Sequence, residues 1–303
     1  MLWRRTLWLV VVMMLSRVLT MPAWAAESAQ TRQLHVNGVD LVYLDQGTGT
    51  PVVLVHGAFS DLRFWEPQRQ AIAQQYRFIA YTYRYHGTAP WPDAGQAYAA
   101  ATHAADLAAF IRELNAGPVH LVALSYGGLL ATLVASEHPE LLRSLTLAEP
   151  GIGALLTDIP EAKAALDDRG KAMAAVGGAV KAGDAVQATK LFFDWVNNQG
   201  AGAFDTQPEA IRQMLLDNAR TVPLLLAAPA PPAVSCATLG SVKVPTLVVG
   251  GAQTSRYFAL IEEVVVRCLP GSHLVTIPNA THPLSFQNPG AFNEALLQFL
   301  AQH

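Results

Sequence analysis

Ser125 lies where the sequence changes abruptly from one pattern to another. The segment LVALSYGG at 121–128 begins as an apolar run that predicts a strand, and directly after the serine it continues as a pattern typical of a helix. A chain that turns this sharply strains the backbone at the serine, so the neighbours must be small, as Ala123 and Gly127 are. A serine at a strand end is more often only a cap, but this context favours Ser125 as a nucleophile that attacks an acyl carbon.

A histidine near the C-terminus has the position that a general base for this serine would need. His282, in the segment ATHP at 280–283, follows the last predicted strand. Parallel strands end at one edge of their sheet, so we expect His282 at the same edge as Ser125 and predict that it takes the serine's proton. The other histidines are interpreted as surface or turn residues (His35, His103, His138, His273, His303), as the start of a strand (His120) and as part of a loop (His86).

A glycine-containing loop could supply the remaining part of an acyl-transfer site. The segment VHGAF at 55–59 follows an earlier predicted strand. Two backbone N–H groups must face the oxyanion that develops during acyl transfer. We predict that they belong to Tyr126, directly after the nucleophile, and to Ala58. Considered alone, His56 and Gly57 would more often form an ordinary turn with a structural histidine.

The pattern from residue 34 onward predicts a scaffold that could position these residues. Asn37-Gly38 is a strong hairpin signal, and short apolar runs then alternate with helical patterns. The predicted strands are 34–36, 41–44, 52–55, 77–82, 119–124, 142–148, 246–249 and 274–277, and the predicted helices are 64–75, 98–115, 126–137, 257–269 and 291–301. This alternation predicts an α/β fold, with a mostly parallel sheet and helices on both faces.

The interval 151–237 interrupts the alternation. It is rich in alanine, contains no convincing strand and ends in a proline-rich stretch at 229–232. We therefore predict a helical cap or lid at 151–237, inserted between a first core part at 26–150 and a second at 238–303.

These segments resemble the α/β-hydrolase family, in particular its lid-bearing serine esterase and lipase-like branch. The resemblance covers about residues 34–302 and depends on the His56-Gly57 loop, the Ser125 motif, the segment Arg84–Gly87 and His282-Pro283. Ala123 replaces the first glycine of the usual serine motif, and Tyr85 replaces a glycine in the segment at 84–87. The resemblance implies the α/β-hydrolase fold with an eight-stranded sheet, a lid, a Ser-His-acid triad and no cofactor.

The acid of the implied triad is absent from its usual place. Family members carry it after the strand at 246–249, but here the turn reads GGAQTSR at 250–256, and Glu262 and Glu263 follow too late to occupy it. The strand at 142–148 ends at the same edge of the sheet in Glu149, a position that some relatives use. We predict that Glu149 is the acid; the alternative is an ion pair at the lid hinge, and Asp158 and Glu161 are weaker candidates.

The N-terminus has the pattern of a signal peptide. Arg4 and Arg5 precede an apolar run at 7–15, and Ala23-Trp24-Ala25 follows as a cleavage site. We predict cleavage of residues 1–25 and a secreted or periplasmic protein without stable membrane insertion, with an uncleaved anchor as the alternative. In an oxidising compartment, Cys236 and Cys268 could pair, and we expect them to form a disulfide.

Composition limits the possible partners. Hydrophobic residues make up 51% of the 303-residue chain, enough for a large core, and removal of the leader changes the formal net charge from −3 to −6. An acidic chain without basic clusters does not suit nucleic-acid binding, and no metal-ligand spacing is present. The expected partner is a small-molecule ester.

The reaction that these residues favour is hydrolysis of small or medium carboxylic esters through an acyl-enzyme. Perhydrolysis of the haloperoxidase type and C–C bond hydrolysis remain alternatives within the same fold, and a ligand-binding protein without catalysis is a third. Phe192, Phe193 and Trp195 in the predicted lid could line an acyl pocket, although such a cluster is more often lid core.

Overall fold

The computed structural model describes residues 29–91 and 93–303, so the predicted leader at 1–25 lies outside the described residues. Eight strands form one sheet in the order β1-β2-β4-β3-β5-β6-β7-β8. The strands are β1 (Gln30–Val36), β2 (Val39–Gln46), β3 (Pro51–Val55), β4 (Arg77–Tyr81), β5 (Val119–Leu124), β6 (Leu142–Ala148), β7 (Thr246–Gly251) and β8 (His273–Ile277). Each corresponds to a strand that the sequence predicts, with ends that differ by a few residues.

The sheet is antiparallel only at its beginning. β1 and β2 form a hairpin whose turn residues, Asn37 and Gly38, have φ angles of 46° and 77°, as the Asn-Gly signal predicts. β2 pairs antiparallel with β4, and every pairing from β4 and β3 to β8 is parallel. The parallel strands β3, β5 and β7 are buried along their whole length, which explains their continuous apolar sequences.

Helices cover both faces of the sheet. They are α1 (Glu66–Ala73), α2 (Ala100–Glu113), α3 (Tyr126–Glu137), α4 (Lys163–Lys181), α5 (Ala185–Asn197), α6 (Glu209–Asp217), α7 (Val222–Ala227), α8 (Cys236–Ser241), α9 (Arg256–Cys268), α10 (Leu284–Gln287) and α11 (Pro289–Leu300). Successive side chains of a strand point to opposite faces. Accordingly, Val53 joins a core cluster with α2, α3 and α9, whereas Leu54 joins a second cluster with α1 and α11.

The segment between β6 and β7 is helical and contains α4 to α8, with no strand among its residues. Its Val176, Ala188 and Val222 are buried together with Phe59, which belongs to the loop after β3. The insertion therefore packs over the carboxyl edge of the sheet. Among the residues that the structure describes, no helix is both long and apolar enough to cross a bilayer.

A disulfide joins the end of the insertion to the second part of the core. Cys236 is the first residue of α8 and Cys268 the last residue of α9, and their Cα atoms are 5.0 Å apart. The expected pairing of the two cysteines is thus confirmed. A crosslink across 32 residues restricts the unfolded chain and, by the chain-entropy relation, stabilises the fold by about 3–4 kcal/mol.

Candidate active site

Ser125 occupies the sharp turn between β5 and α3. Its φ and ψ angles are 55° and −119°, a conformation that non-glycine residues rarely adopt. The turn leaves no room for side chains beside it: a Cβ on Gly127 would lie 2.5 Å from the carbonyl oxygen of His56, and one on Gly128 would lie 2.9 Å from Cα of Pro150. Gly127 and Gly128 are therefore required because the neighbouring backbone leaves no space for a larger residue at either position.

Glu149 and His282 are in direct contact. Glu149, directly after β6, is fully buried, and its Oε2 lies 2.7 Å from Nδ1 of His282. The carboxylate also accepts a hydrogen bond from the backbone N–H of Gly251 at 2.8 Å and from the hydroxyl of Thr254 at 2.7 Å. These donors offset the cost of burying a carboxylate. The predicted contact is present, and the turn that lacks the family's usual acid supplies two donors to Glu149 instead.

A second buried carboxyl group lies near the first. A Cβ on Gly250 would be 2.7 Å from Oε1 of Glu262, which places that side chain of α9 beneath the end of β7. Burial, and then the charge of Glu149, raises the pKa of Glu262 to about 9. Glu262 is therefore protonated at neutral pH, and the negative charge next to His282 belongs to Glu149.

Packing and hydrogen bonds from other elements fix the His282 loop. The imidazole stacks on Phe258 of α9, with ring centroids 4.0 Å apart. The preceding residue, Thr281, donates its hydroxyl hydrogen to Asn197 of α5 at 2.6 Å, and both residues are buried. Because Nδ1 is held by Glu149, Nε2 is the ring nitrogen available to Ser125, and both residues line the same narrow cavity.

The carbonyl group of Gly57 is held by three hydrogen-bond donors. It accepts from Nδ1 of His56 at 2.8 Å, from the hydroxyl of Ser60 at 3.0 Å and from the hydroxyl of Tyr83 at 2.8 Å. Burial lowers the pKa of His56 to about 4, so its ring is neutral at pH 7 and carries its proton on Nδ1, facing the carbonyl. In a trans peptide the C=O and the next N–H point in opposite directions. The N–H of Ala58 is therefore directed away from these three donors.

The second candidate oxyanion donor, Tyr126, is the first residue of α3. Its backbone N–H has no acceptor within the helix because the first turn of a helix leaves its N–H groups unpaired. The phenol oxygen of Tyr126 lies 3.0 Å from Nδ1 of His103. Ala58 and Tyr126 both border the cavity space next to Ser125.

The sequence interpretation of His103 is wrong. His103 lies on the inner side of α2 and is fully buried, and burial lowers its pKa to about 3. His103, Leu107 and Phe110 follow one another at intervals of four and three residues, so they lie on one face of α2. This apolar spacing is the sequence signal that could have predicted the burial of His103. His86 lies in the loop after the fourth strand, as predicted; the structure adds that it is buried there, with Nδ1 3.1 Å from the carbonyl oxygen of Arg84.

Two cavities meet at Ser125. A narrow one of about 50 Å³ has apolar walls and includes His282, and a wide one of about 400 Å³ opens between α4, α7 and α9. Phe192 lines both cavities, Phe193 only the narrow one and Trp195 only the wide one. The aromatic residues of the insertion thus form cavity walls, and Phe193 also belongs to the core.

Relatives found by sequence include a protein named as a bromoperoxidase and one named as a hydrolase. The chain is 27% identical over 268 residues to a protein of Mycobacterium tuberculosis named putative non-heme bromoperoxidase BpoC, covering 87% of the chain and 98% of that relative. It is 29% identical over 121 residues to 2-(acetamidomethylene)succinate hydrolase of Mesorhizobium japonicum, but this match covers only 40% of the chain and 43% of that enzyme.

Solved structures with the same fold include enzymes described as esterases. Carboxylesterase CesB of Bacillus subtilis superposes with a TM-score of 0.72 at 18% identity, covering 91% of the chain and 93% of that structure. An enzyme described as degrading N-acyl homoserine lactones superposes with a TM-score of 0.71 at 23% identity, covering 88% and 100%. At these identities the likeness establishes the fold. The family model described as the alpha/beta hydrolase family matches residues 52–295, so the chain belongs to the α/β hydrolase family.

Proposed function

We propose that this chain is a serine hydrolase that cleaves carboxylic esters of small or medium size through an acyl-enzyme. The observation that carries the proposal is the 2.7 Å contact between buried Glu149 and His282, in a cavity that Ser125 shares with His282. A ligand-binding protein would need the cavity, but it would not need a buried carboxylate that orients a histidine next to a strained serine.

The proposed reaction proceeds in two halves. Ser125 Oγ attacks the ester carbonyl carbon and transfers its proton to Nε2 of His282, while Glu149 stabilises the imidazolium that forms. The N–H groups of Ala58 and Tyr126 bind the oxyanion. His282 then protonates the departing alkoxide, which leaves an acyl-Ser125 ester. Water, deprotonated by His282, attacks that ester and releases the acid, and the serine regains its proton.

The cavities and the relatives support an ester or lactone substrate. The narrow cavity accommodates a small substituent next to the scissile bond, and the wide one has the volume of a typical small-molecule site. Two structural neighbours are described as a carboxylesterase and as a lactone-degrading enzyme, and an acyl-transfer site of this kind can carry out both activities.

Ser125→Ala should abolish ester hydrolysis and leave the fold intact, because the hydroxyl is needed only for the covalent step. Losses for triad nucleophiles are on the order of 10⁶-fold in kcat. The measurement is turnover of para-nitrophenyl esters from acetate to palmitate, with lactones alongside, and covalent labelling by a fluorophosphonate probe. A wild-type protein that the probe does not label would indicate a binding protein, and a variant with a tenth of wild-type activity would show that Ser125 is not the nucleophile.

Glu149→Gln should lower kcat by about 10³–10⁴-fold, because a neutral amide neither fixes the histidine tautomer nor stabilises the imidazolium. Glu263→Gln is the matched control, since Glu263 lies on the surface of α9 and pairs with Arg256. Circular dichroism should show both variants folded. Near wild-type activity of Glu149→Gln at neutral pH would exclude Glu149 as the acid.

Tyr83→Phe should lower kcat about tenfold with little change in KM, because it removes one of the three donors that orient the Gly57–Ala58 peptide. This loss is smaller than the 10²–10³-fold loss typical of removing an oxyanion donor itself. Tyr81→Phe is the control: Tyr81 is equally buried, but its hydroxyl has no hydrogen-bond partner among the described residues. Equal kinetics for the two variants would show that the Tyr83 hydrogen bond does not position the loop.

We also propose that the protein is exported and loses residues 1–25. The support is the leader pattern of the sequence together with the disulfide, because disulfides persist in oxidising compartments. Expression in a Gram-negative host followed by mass spectrometry of the periplasmic protein should give a chain that starts at Ala26. Recovery of the chain with Met1 intact would refute the proposal.

A further inference from the structure

The wide cavity next to Ser125 has a single charged residue in its wall. Most of its lining is apolar, with Met173, Leu225 and Phe258 among the side chains, and Arg169 of α4 is the only charged residue among the described residues that line it. The guanidinium of an arginine in this wall has five N–H groups that can donate to a ligand in the cavity.

Arg169 has no carboxylate partner among the described residues, although two acidic residues precede it directly. Asp167 pairs with Lys163 at 2.6 Å, and Asp168 accepts a hydrogen bond from the indole N–H of Trp195 at 3.2 Å. Both of these acidic groups are thus engaged by other side chains, Asp168 by Trp195 of the same cavity. The Arg169 guanidinium instead lies over the ring of Tyr257, with its Cζ 5.8 Å from the ring centroid.

Tyr257 adds a second polar group to the same wall. Its ring is largely buried on α9, and it lines the wide cavity with Arg169. A guanidinium and a phenol in the wall of a largely apolar cavity that also reaches Ser125 suit a ligand with an apolar body and an anionic end. A carboxylate fits such a pair because guanidinium binds it in a bidentate geometry.

We propose that Arg169, with Tyr257 beside it, forms a subsite for a carboxylate at the far end of the substrate. The preferred substrate is then an ester or lactone with a negatively charged group separated from the scissile carbonyl by an apolar segment. This inference rests on the proposed ester hydrolysis, and it makes Arg169 a specificity residue that takes no part in the chemical step.

Two pairs of esters of matched shape test the subsite. In one pair the charge is on the acyl side: para-nitrophenyl hexanoate and the mono-para-nitrophenyl ester of adipic acid. In the other it is on the alcohol side: the acetate esters of para-cresol and of para-hydroxybenzoate. In at least one pair, the wild-type protein should prefer the anionic member by about tenfold in kcat/KM, the size of a modest charge-assisted contact at an exposed site.

The preference should be lost in Arg169→Gln and reduced in Tyr257→Phe. It should also decrease in about 1 M salt, where the Debye length is about 3 Å. Lys171→Gln is the matched control, because it removes the same charge from the same helix at an exposed position that does not line the cavity. A ratio that Arg169→Gln leaves unchanged, or that Lys171→Gln lowers equally, would overturn the subsite while ester hydrolysis stands.

Binding to Ser125→Ala separates the subsite from the reaction. Calorimetry should show that monomethyl adipate binds this variant about tenfold more tightly than dimethyl adipate, and that adding Arg169→Gln removes the difference. If the wild-type protein hydrolyses no ester, the proposed function fails, and this measurement still decides the subsite. Equal binding of the two adipates to Ser125→Ala would refute it.

Discussion

The hydrogen bond between Glu149 and His282 links parts of the chain that are far apart in sequence. Glu149 follows β6, the donors Gly251 and Thr254 lie at and after the end of β7, and His282 lies in the loop after β8. A carboxylate buried this completely is tolerated only when donors surround it. The alignment of three neighbouring parallel strands brings those donors together, so the burial of this carboxylate depends on the order of the strands in the sheet.

Glu262 is a second buried carboxyl group close to Glu149, and it stays uncharged at neutral pH because its pKa is raised. An unfolded chain releases the proton of a glutamate near pH 4.5, whereas Glu262 in the folded protein keeps it up to about pH 9. The folded state therefore holds more protons than the unfolded state between these values, and this group makes the fold less stable as the pH rises through them. Above about pH 9 a second carboxylate would form close to Glu149.

The sequence predicted the architecture well because the relevant signals are local. Each of the eight strands is a short run with its own pattern, and the Asn37-Gly38 turn and the small residues around Ser125 are restricted by their immediate neighbours. The contact of Glu149 with His282 was also predictable, since it follows from strand order and from the absence of a carboxylate at 250–256.

The contacts that sequence reasoning missed are those between distant segments with no shared pattern. The hydrogen bond from the Tyr83 hydroxyl to the Gly57 carbonyl joins loops 26 residues apart. A tyrosine that donates to a backbone oxygen has no characteristic sequence motif by which it could be recognised. The role of Thr254 was hidden because it depends on Glu149, 105 residues earlier. The burial of His103 was predictable from the spacing of apolar residues on its helix, but alanines on all sides of α2 make the buried face hard to distinguish from the exposed one.

The hydrogen bond between Thr281 and Asn197 has a mechanical consequence. It joins the loop of His282 to α5 of the insertion, and both side chains are buried. Movement of α5 away from this loop would break the hydrogen bonds that the Asn197 amide oxygen accepts from Thr281 and Gln287, and that buried oxygen would lose both of its protein donors. These bonds hold α5 of the insertion against the His282 loop, and the wide cavity between α4, α7 and α9 offers an approach to Ser125 that does not require α5 to move.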